Sequence, residues 1–314
     1  MLLVTGGTGF LGRNFLEQTQ EQCCFTGRNL GRGARVAHET GHRFIPINLA
    51  TEDLTGLKNV TGIVHCAAKS SPWGAYEEFF EHNVLATRRL LEFAKANNVG
   101  QFVHISTPSL YFDFQDRQGV REDHRADTFA NHYAHTKYLA ELEVANYAGD
   151  MHVTVLRPRG IFGKHDTTII PRIIELGDGR GIPLARDGKA VVDMTHVDNV
   201  VHAIKLALKG EHRSGEVYNI TNGESMRVID LIDRLSHCLK REMKVRKLPG
   251  ALVGAIASVM QAWGTLVGKE PSLTRYTAAL LRFDQTLDIQ KAQHQLGYQP
   301  VKSIVDGLKD YCHN

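Results

Sequence analysis

Tyr133 and Lys137 stand four residues apart, as Tyr-Ala-His-Thr-Lys, at the head of a helical pattern running to Tyr147. That spacing puts both side chains on one helix face. A phenol has an ordinary pKa of about 10, so it exchanges protons poorly near neutrality unless its anion is stabilised. An ammonium one turn away would lower that pKa and could also hold a ribose. Such a pair suits acid–base work on an alcohol or carbonyl oxygen. A hydroxyl to bind the same oxygen is offered three times, by Ser106, Thr107 and Ser109, after the strand-like run Val103-His104-Ile105. Tyrosine and lysine at this spacing occur by chance in many helices. The pair gains meaning only from what positions it.

The positioning element is the opening run MLLVTGGTGFLG. Leu2-Leu3-Val4-Thr5 reads as a buried parallel strand, glycines follow at Gly6, Gly9 and Gly12, and Phe10, Leu11, Phe15 and Leu16 recur at helical spacing. Strand, glycine turn and helix open a nucleotide-binding βαβ unit. Gly6 suits the tight turn, Gly9 lets backbone approach a pyrophosphate, and Gly12 lets helix lie close on strand. The free N–H groups of that helix end favour phosphate. Further strands are expected at 23–26, 44–47, 62–68, 101–105, 153–156 and 217–220, with a long helix over 75–97 and another over 197–208. This alternation indicates βαβ crossovers and a parallel sheet. Past residue 158 it breaks into a glycine-punctuated region with one helix near 169–176. The fold class expected is α/β, a Rossmann doubly wound parallel sheet over 1–158 to which 195–222 returns. A smaller, mostly helical C-terminal substrate-binding region takes 159–194 and 223–314.

The 314 residues are 42% hydrophobic and 23% charged, with a formal net charge of +3. That is enough for a substantial core and too little positive charge for nucleic acid. Cys23, Cys24, Cys66, Cys238 and Cys312 have no metal-ligand spacing and read as free thiols in a reducing cytoplasm. The sixteen histidines show no paired ligand spacing, so no metal is expected. His65 reads as a packed strand residue, His132 and His135 as solvent-facing, and His196 with Asp198 as the start of a helix. The glycine motif begins at once, so no signal peptide is expected. Residues 250–268 carry no charge over 19 positions. They read as a buried helix or pocket cover, with an interfacial or just membrane-spanning helix as the alternatives. No Asp or Glu lies between Glu21 and Glu39, where an NAD site would offer one to the ribose 2′-OH. Arg28 stands there instead and suits a 2′-phosphate, so NADP(H) is expected over NAD.

Together these motifs make the chain similar to the extended short-chain dehydrogenases/reductases, of the 3β-hydroxysteroid dehydrogenase-like branch. The resemblance is carried by TGGTGFLG at 5–12, HCAAK at 65–69, HNVLAT at 82–87, HISTPSLY at 104–111, YAHTK at 133–137 and VLRPRGIFGKHD at 155–166. VDMTHVDNVV at 192–201 and LGYQP at 296–300 extend it over nearly the whole length. Within the branch, AAKSSPWGAY, STPS and LRPRGIFG resemble bacterial 2-alkyl-3-oxoalkanoate reductases, with sterol-4α-carboxylate 3-dehydrogenases as near relatives.

The resemblance makes Tyr133 the acid/base, Lys137 its lysine, Thr107 the hydroxyl on the substrate oxygen, and Asn83 the helix asparagine that orients the site. Ala86 stands where the family's N-V-x-G-T pattern has glycine. The cofactor would meet Gly6, Thr8, Gly9, Phe10, Leu11, Gly12, Arg28, Asn48, Leu49, Ala67, Ala68, Lys69, Ser106, Tyr133, Lys137, Pro158, Gly160 and Ile161. Asn48 takes the place of a usual aspartate. The reaction implied is NADPH-dependent interconversion of a ketone and a secondary alcohol on a hydrophobic small molecule. Its pocket would be built from 70–80, 111–129, 160–194 and 250–268. Arg157 and Arg159 suit either a substrate carboxylate or structural ion pairs. A homodimer through the helices near 75–97 and 131–147 is implied, and association with a membrane surface or multienzyme assembly is open. A nucleotide-sugar epimerase or dehydratase is disfavoured, because LRPRGIF lacks the asparagine of its R-Y-F-N motif. A non-catalytic NADP-binding regulator is disfavoured because Tyr133 and Lys137 are both retained.

Overall fold

The computed structural model describes every residue except 180, 270, 272, 313 and 314, and of Thr265 the backbone alone. Seven parallel strands form the main sheet: β1 (Leu2–Thr5), β2 (Cys23–Gly27), β3 (Arg43–Pro46), β4 (Gly62–His65), β5 (Gln101–Ile105), β7 (His152–Pro158) and β12 (Glu216–Ile220). The label β6 belongs to Arg117–Val120, outside this sheet. The order across the sheet is β12-β7-β5-β4-β1-β2-β3. Every side chain of β1 and β4 is buried, as strands covered on both faces require.

Helices α1 (Phe10–Gln18), α2 (Leu30–Thr40) and α7 (Val197–Lys209) cover one face, with Phe15, Leu16, Val36, Val200 and Ile204 in its core. On the other face α4 (Ala86–Ala96) and α5 (His132–Ala145) bury Leu90, Leu91, Phe93 and Val144. The helix expected over 75–97 is in fact α3 (Tyr76–Phe79), a π-helical turn at Phe80–Leu85, and then α4. The wider turn admits an extra residue, and such turns commonly mark functional sites.

A second sheet, in the order β13-β10-β15-β6, joins β13 (Met226–Arg227), β10 (Val191–Val192) and β15 (Gln285–Leu287) to β6. Two short pairs remain: β8 (Ile161–Phe162) with β11 (Thr195–His196), and β9 (Ile182–Leu184) with β14 (Val245–Lys247). Helices α6 (Ile170–Asp178), α8 (Val228–Cys238), α9 (Gly250–Val267), α10 (Arg275–Leu280), α11 (Gln290–Gln295) and α12 (Ile304–Cys312) complete the chain. His196 caps α7, its Nδ1 accepting from the Asp198 N–H at 3.2 Å.

The expectation of five free thiols fails. Cys238 and Cys312 form a disulfide, because α8 and α12 share one core and bring their Cα atoms to 5.4 Å. Seventy-four residues of sequence separation concealed the pair. Cys23, Cys24 and Cys66 are free, and burial pushes the thiols of Cys23 and Cys66 up to about 12. The buried-cover reading of 250–268 holds for one face of α9 only. Leu252, Val259, Trp263 and Leu266 are exposed. Among the described residues no helix is long and apolar enough to cross a membrane.

Candidate active site

The loops leaving the carboxyl ends of β1, β2, β4, β5 and β7 meet along one edge, where open α/β sheets bind ligands. At the first of them Gly6 has φ +65°, and a Cβ there would stand 2.9 Å from the Ala67 backbone. A Cβ on Gly12 would lie 2.5 Å from the Gly6 carbonyl oxygen. Gly9 caps α1 without any side-chain bond, and the first turn holds no acid. These are the features of a phosphate cradle, so a dinucleotide fits. Thr8 leans on Gly27 of β2, Leu11 is buried in the core, and Phe10 packs against it. Arg28 projects fully exposed from the end of β2, 3.1 Å from His82 Nε2. Asn48 spends its Oδ1 on the Ala50 N–H (3.2 Å), shaping its own turn, and the Leu49 side chain faces the core.

A chain of hydrogen bonds ties β1 to β4 beneath the cradle. The Ala67 N–H donates to Thr5 Oγ1 (3.1 Å), whose hydroxyl lies 2.7 Å from His65 Nδ1. His65 Nε2 lies 2.9 Å from Thr87 Oγ1, and that hydroxyl donates to the Asn83 carbonyl (2.6 Å). Only neutral His65 with its proton on Nε2 satisfies every member. Burial accordingly holds it down to about 3. Packed it is, as the sequence suggested, and bonded at both nitrogens.

Asn83 sits in the π-turn and faces the lysine loop. Its Oδ1 accepts from the Lys69 N–H (2.7 Å), while Nδ2 donates to the Lys69 carbonyl (3.2 Å) and to Thr136 Oγ1 (3.0 Å) of α5. It thereby fastens the end of β4 to the helix bearing Tyr133 and Lys137. Ala68 lies in the same loop, and Lys69 pairs with Glu78. Pro158 ends β7. Gly160 (φ +54°) and Ile161 follow, and Ile161 pairs with Thr195.

Tyr133 faces the hydroxyls of Ser70 and Thr107. Burial raises its pKa, and those two hydroxyls only partly offset the rise. The lowered phenol expected from Lys137 is not found. Lys137 Nζ turns instead to β5, donating to the Ile105 carbonyl (2.7 Å) and His104 Nε2 (2.9 Å). Burial brings Lys137 down to about 8 and holds His104 well below the usual imidazole range. Thr107 Oγ1 accepts from the Ser109 N–H (3.2 Å) and lies 2.9 Å from Ser109 Oγ, which is 2.7 Å from the Tyr276 hydroxyl on α10. Ser106 Oγ is buried without a partner.

The two arginines part company. Arg157 is structural, donating to both oxygens of Glu141 (2.9 and 2.5 Å) and to Tyr111 Oη (2.5 Å). Arg159 is buried with its Nε unpartnered, and burial lowers its pKa against the pull of Tyr276 and Asp193. His132 is exposed as expected, and His135 is half-buried, stacked on Phe129 with centroids 5.1 Å apart. Sequence reading missed His104 and Tyr276. The first is an ordinary strand position. The second comes from a distant helix with no motif of its own.

Residues 2–221 match the model of the NAD dependent epimerase/dehydratase family. The protein YbjS of Escherichia coli K12 is 40% identical over 98% of this chain and 95% of its own length. A 2-alkyl-3-oxoalkanoate reductase of Stenotrophomonas maltophilia is 30% identical, over 98% of this chain and 97% of its own. A solved UDP-glucuronic acid 4-epimerase from Bacillus cereus, in complex with NAD, superposes with a TM-score of 0.78 at 22% identity. That superposition covers 99% of this chain and 96% of that one. The chain belongs to the NAD dependent epimerase/dehydratase family, that is, the extended short-chain dehydrogenases/reductases. It is an NAD(P)-dependent oxidoreductase acting on CH–OH groups.

Proposed function

We propose that the protein interconverts a ketone and a secondary alcohol on a hydrophobic substrate of the 2-alkyl-3-oxoalkanoate or 3β-hydroxysteroid kind, with NADP(H). The observation that carries this reading is the Tyr133 phenol facing Thr107 at the carboxyl end of β5, beside the glycine cradle. When bound, the nicotinamide supplies or accepts the hydride. Tyr133 and Thr107 hydrogen-bond the carbonyl oxygen and polarise it. Burial keeps the phenol protonated, the state needed to give a proton to the alkoxide as it forms. Lys137 keeps a positive charge at the end of β5, and Asn83 holds the flanking loop. Arg28, exposed where NAD sites present an acid, supports the phosphorylated cofactor.

Consumption of NADPH against 3-oxo acids and ketosteroids tests the substrate class, with UDP-sugars followed by chromatography of their products because epimerisation and dehydration consume no net NADPH. Turnover of UDP-sugars alone would replace the ketone reading with an epimerase or dehydratase. Tyr133→Phe should lower kcat by roughly 10²- to 10⁴-fold. Unchanged turnover would sink the chemistry.

A further inference from the structure

Helix α9 presents its apolar side to solvent. Leu252, Ile256, Val259, Trp263 and Leu266 recur at steps of three and four and are 46, 40, 70, 66 and 81% exposed. The opposite side buries Val253 and Ala257 against Ala278 of α10. Ser258 is exposed as well, and its hydroxyl donates back to the Gly254 carbonyl at 2.9 Å. A continuous exposed apolar stripe of this kind marks an interaction surface.

The segments that flank that helix in the chain are basic. Residues 240–282 hold eight Lys and Arg against two Glu. Strand β14 leads into α9 with all three of its residues exposed, and Lys244 and Lys269 are exposed as well. Lys247 has Asp187 at 3.9 Å, and Arg241 has Asp178 at 3.2 Å. These exposed pairs are weak and leave the surplus standing.

We propose that α9 seats the protein on an anionic lipid surface. The helix would lie flat, about 27 Å long at 1.5 Å per residue, with its stripe in the acyl boundary. Trp263 suits the interface, and the basic flanking segments would rest on the lipid phosphates. A second copy is the poorer occupant, since a symmetric contact on α9 would bring two sets of basic flanking segments together. Tyr276 of α10, directly beneath α9, reaches Ser109 in the active site. The lipid surface therefore lies one helix layer from the hydroxyl cluster, a short path for an apolar substrate.

The full chain should co-sediment with vesicles of 7:3 phosphatidylcholine and phosphatidylglycerol at 0.1 M salt at least tenfold better than with pure phosphatidylcholine. Tryptophan emission should shift to the blue on binding, and Trp263→Phe should abolish that shift. Val259→Asp/Leu266→Asp should abolish sedimentation with an unchanged thermal midpoint, and Arg246→Glu/Lys247→Glu should weaken it. No binding, or equal binding to both vesicle types, overturns the proposal. So does sedimentation equilibrium showing a dimer that Leu266→Asp dissociates. None of these readouts depends on turnover, so the fate of the seat and that of the proposed reaction are separable.

Discussion

At the scale of single residues, two arginines put the proposed function to the test. Arg159 is a buried cation whose Nε has no partner, a state that costs stability unless a ligand or another group compensates. A substrate carboxylate is the matching group. Arg159→Ala should raise KM for 3-oxo acids by about 10- to 100-fold, the worth of a hydrogen bond to a charged group, and for neutral ketones by less than about threefold. Equal changes for both substrates would remove the carboxylate from the account. Arg28 makes no ion pair among the described residues, and His82 is its hydrogen-bond partner. Arg28→Ala should raise KM for NADPH about tenfold and leave that for NADH nearly unchanged. The types of both residues were plain in the sequence. That Arg157 is consumed by Glu141 while Arg159 is not depends on three-dimensional neighbours 16 residues apart, which no local pattern displays.

At the scale of elements, the parallel strands were legible because burial on both faces leaves a mark. The π-turn was not. One extra residue per turn barely shifts an apolar pattern, yet it is the turn that carries Asn83. Strand β6 was missed too, since Arg117-Gln118-Gly119-Val120 buries only Val120. The bonded line from Thr5 through His65 to Thr87 has its own consequence for pH. His65 keeps a folded-state pKa of about 3 against an ordinary 6.5, so below pH 6.5 the unfolded chain binds a proton that the folded one refuses. Stability is complete above 6.5 and falls as pH drops from there towards 3. The slope is about 1.4 kcal/mol per pH unit for each such imidazole, and His104 adds to it in the same direction. Urea midpoints at pH 7.5 and 5.5 read this directly. His65→Gln should flatten the acid limb by one imidazole's share, and an unchanged slope would refute the assignment.

At the scale of the whole molecule, the C-terminal helix is tied down by a covalent bond as well as by hydrogen bonds. The Cys238–Cys312 bond joins it to α8, and Tyr311 Oη accepts from the Gly163 N–H at 2.7 Å. Thiol titration of denatured protein should find three groups before reduction and five after it; five at the outset would refute the bridge. The sheets are interlocked as well. Strand β12, the outer strand beside β7, comes from residues 216–220, downstream of β10 in the second sheet. Strand β6, from within the first 158 residues, pairs with β15 near the end of the chain. A gene segment stopping at codon 158 would encode β7 with an open row of N–H and C=O groups and a core lacking Tyr218 and Ile220. Recombination inside this span therefore severs both sheets at once. Point substitution leaves these interlocked pairings in place, whereas shuffling fragments across them does not.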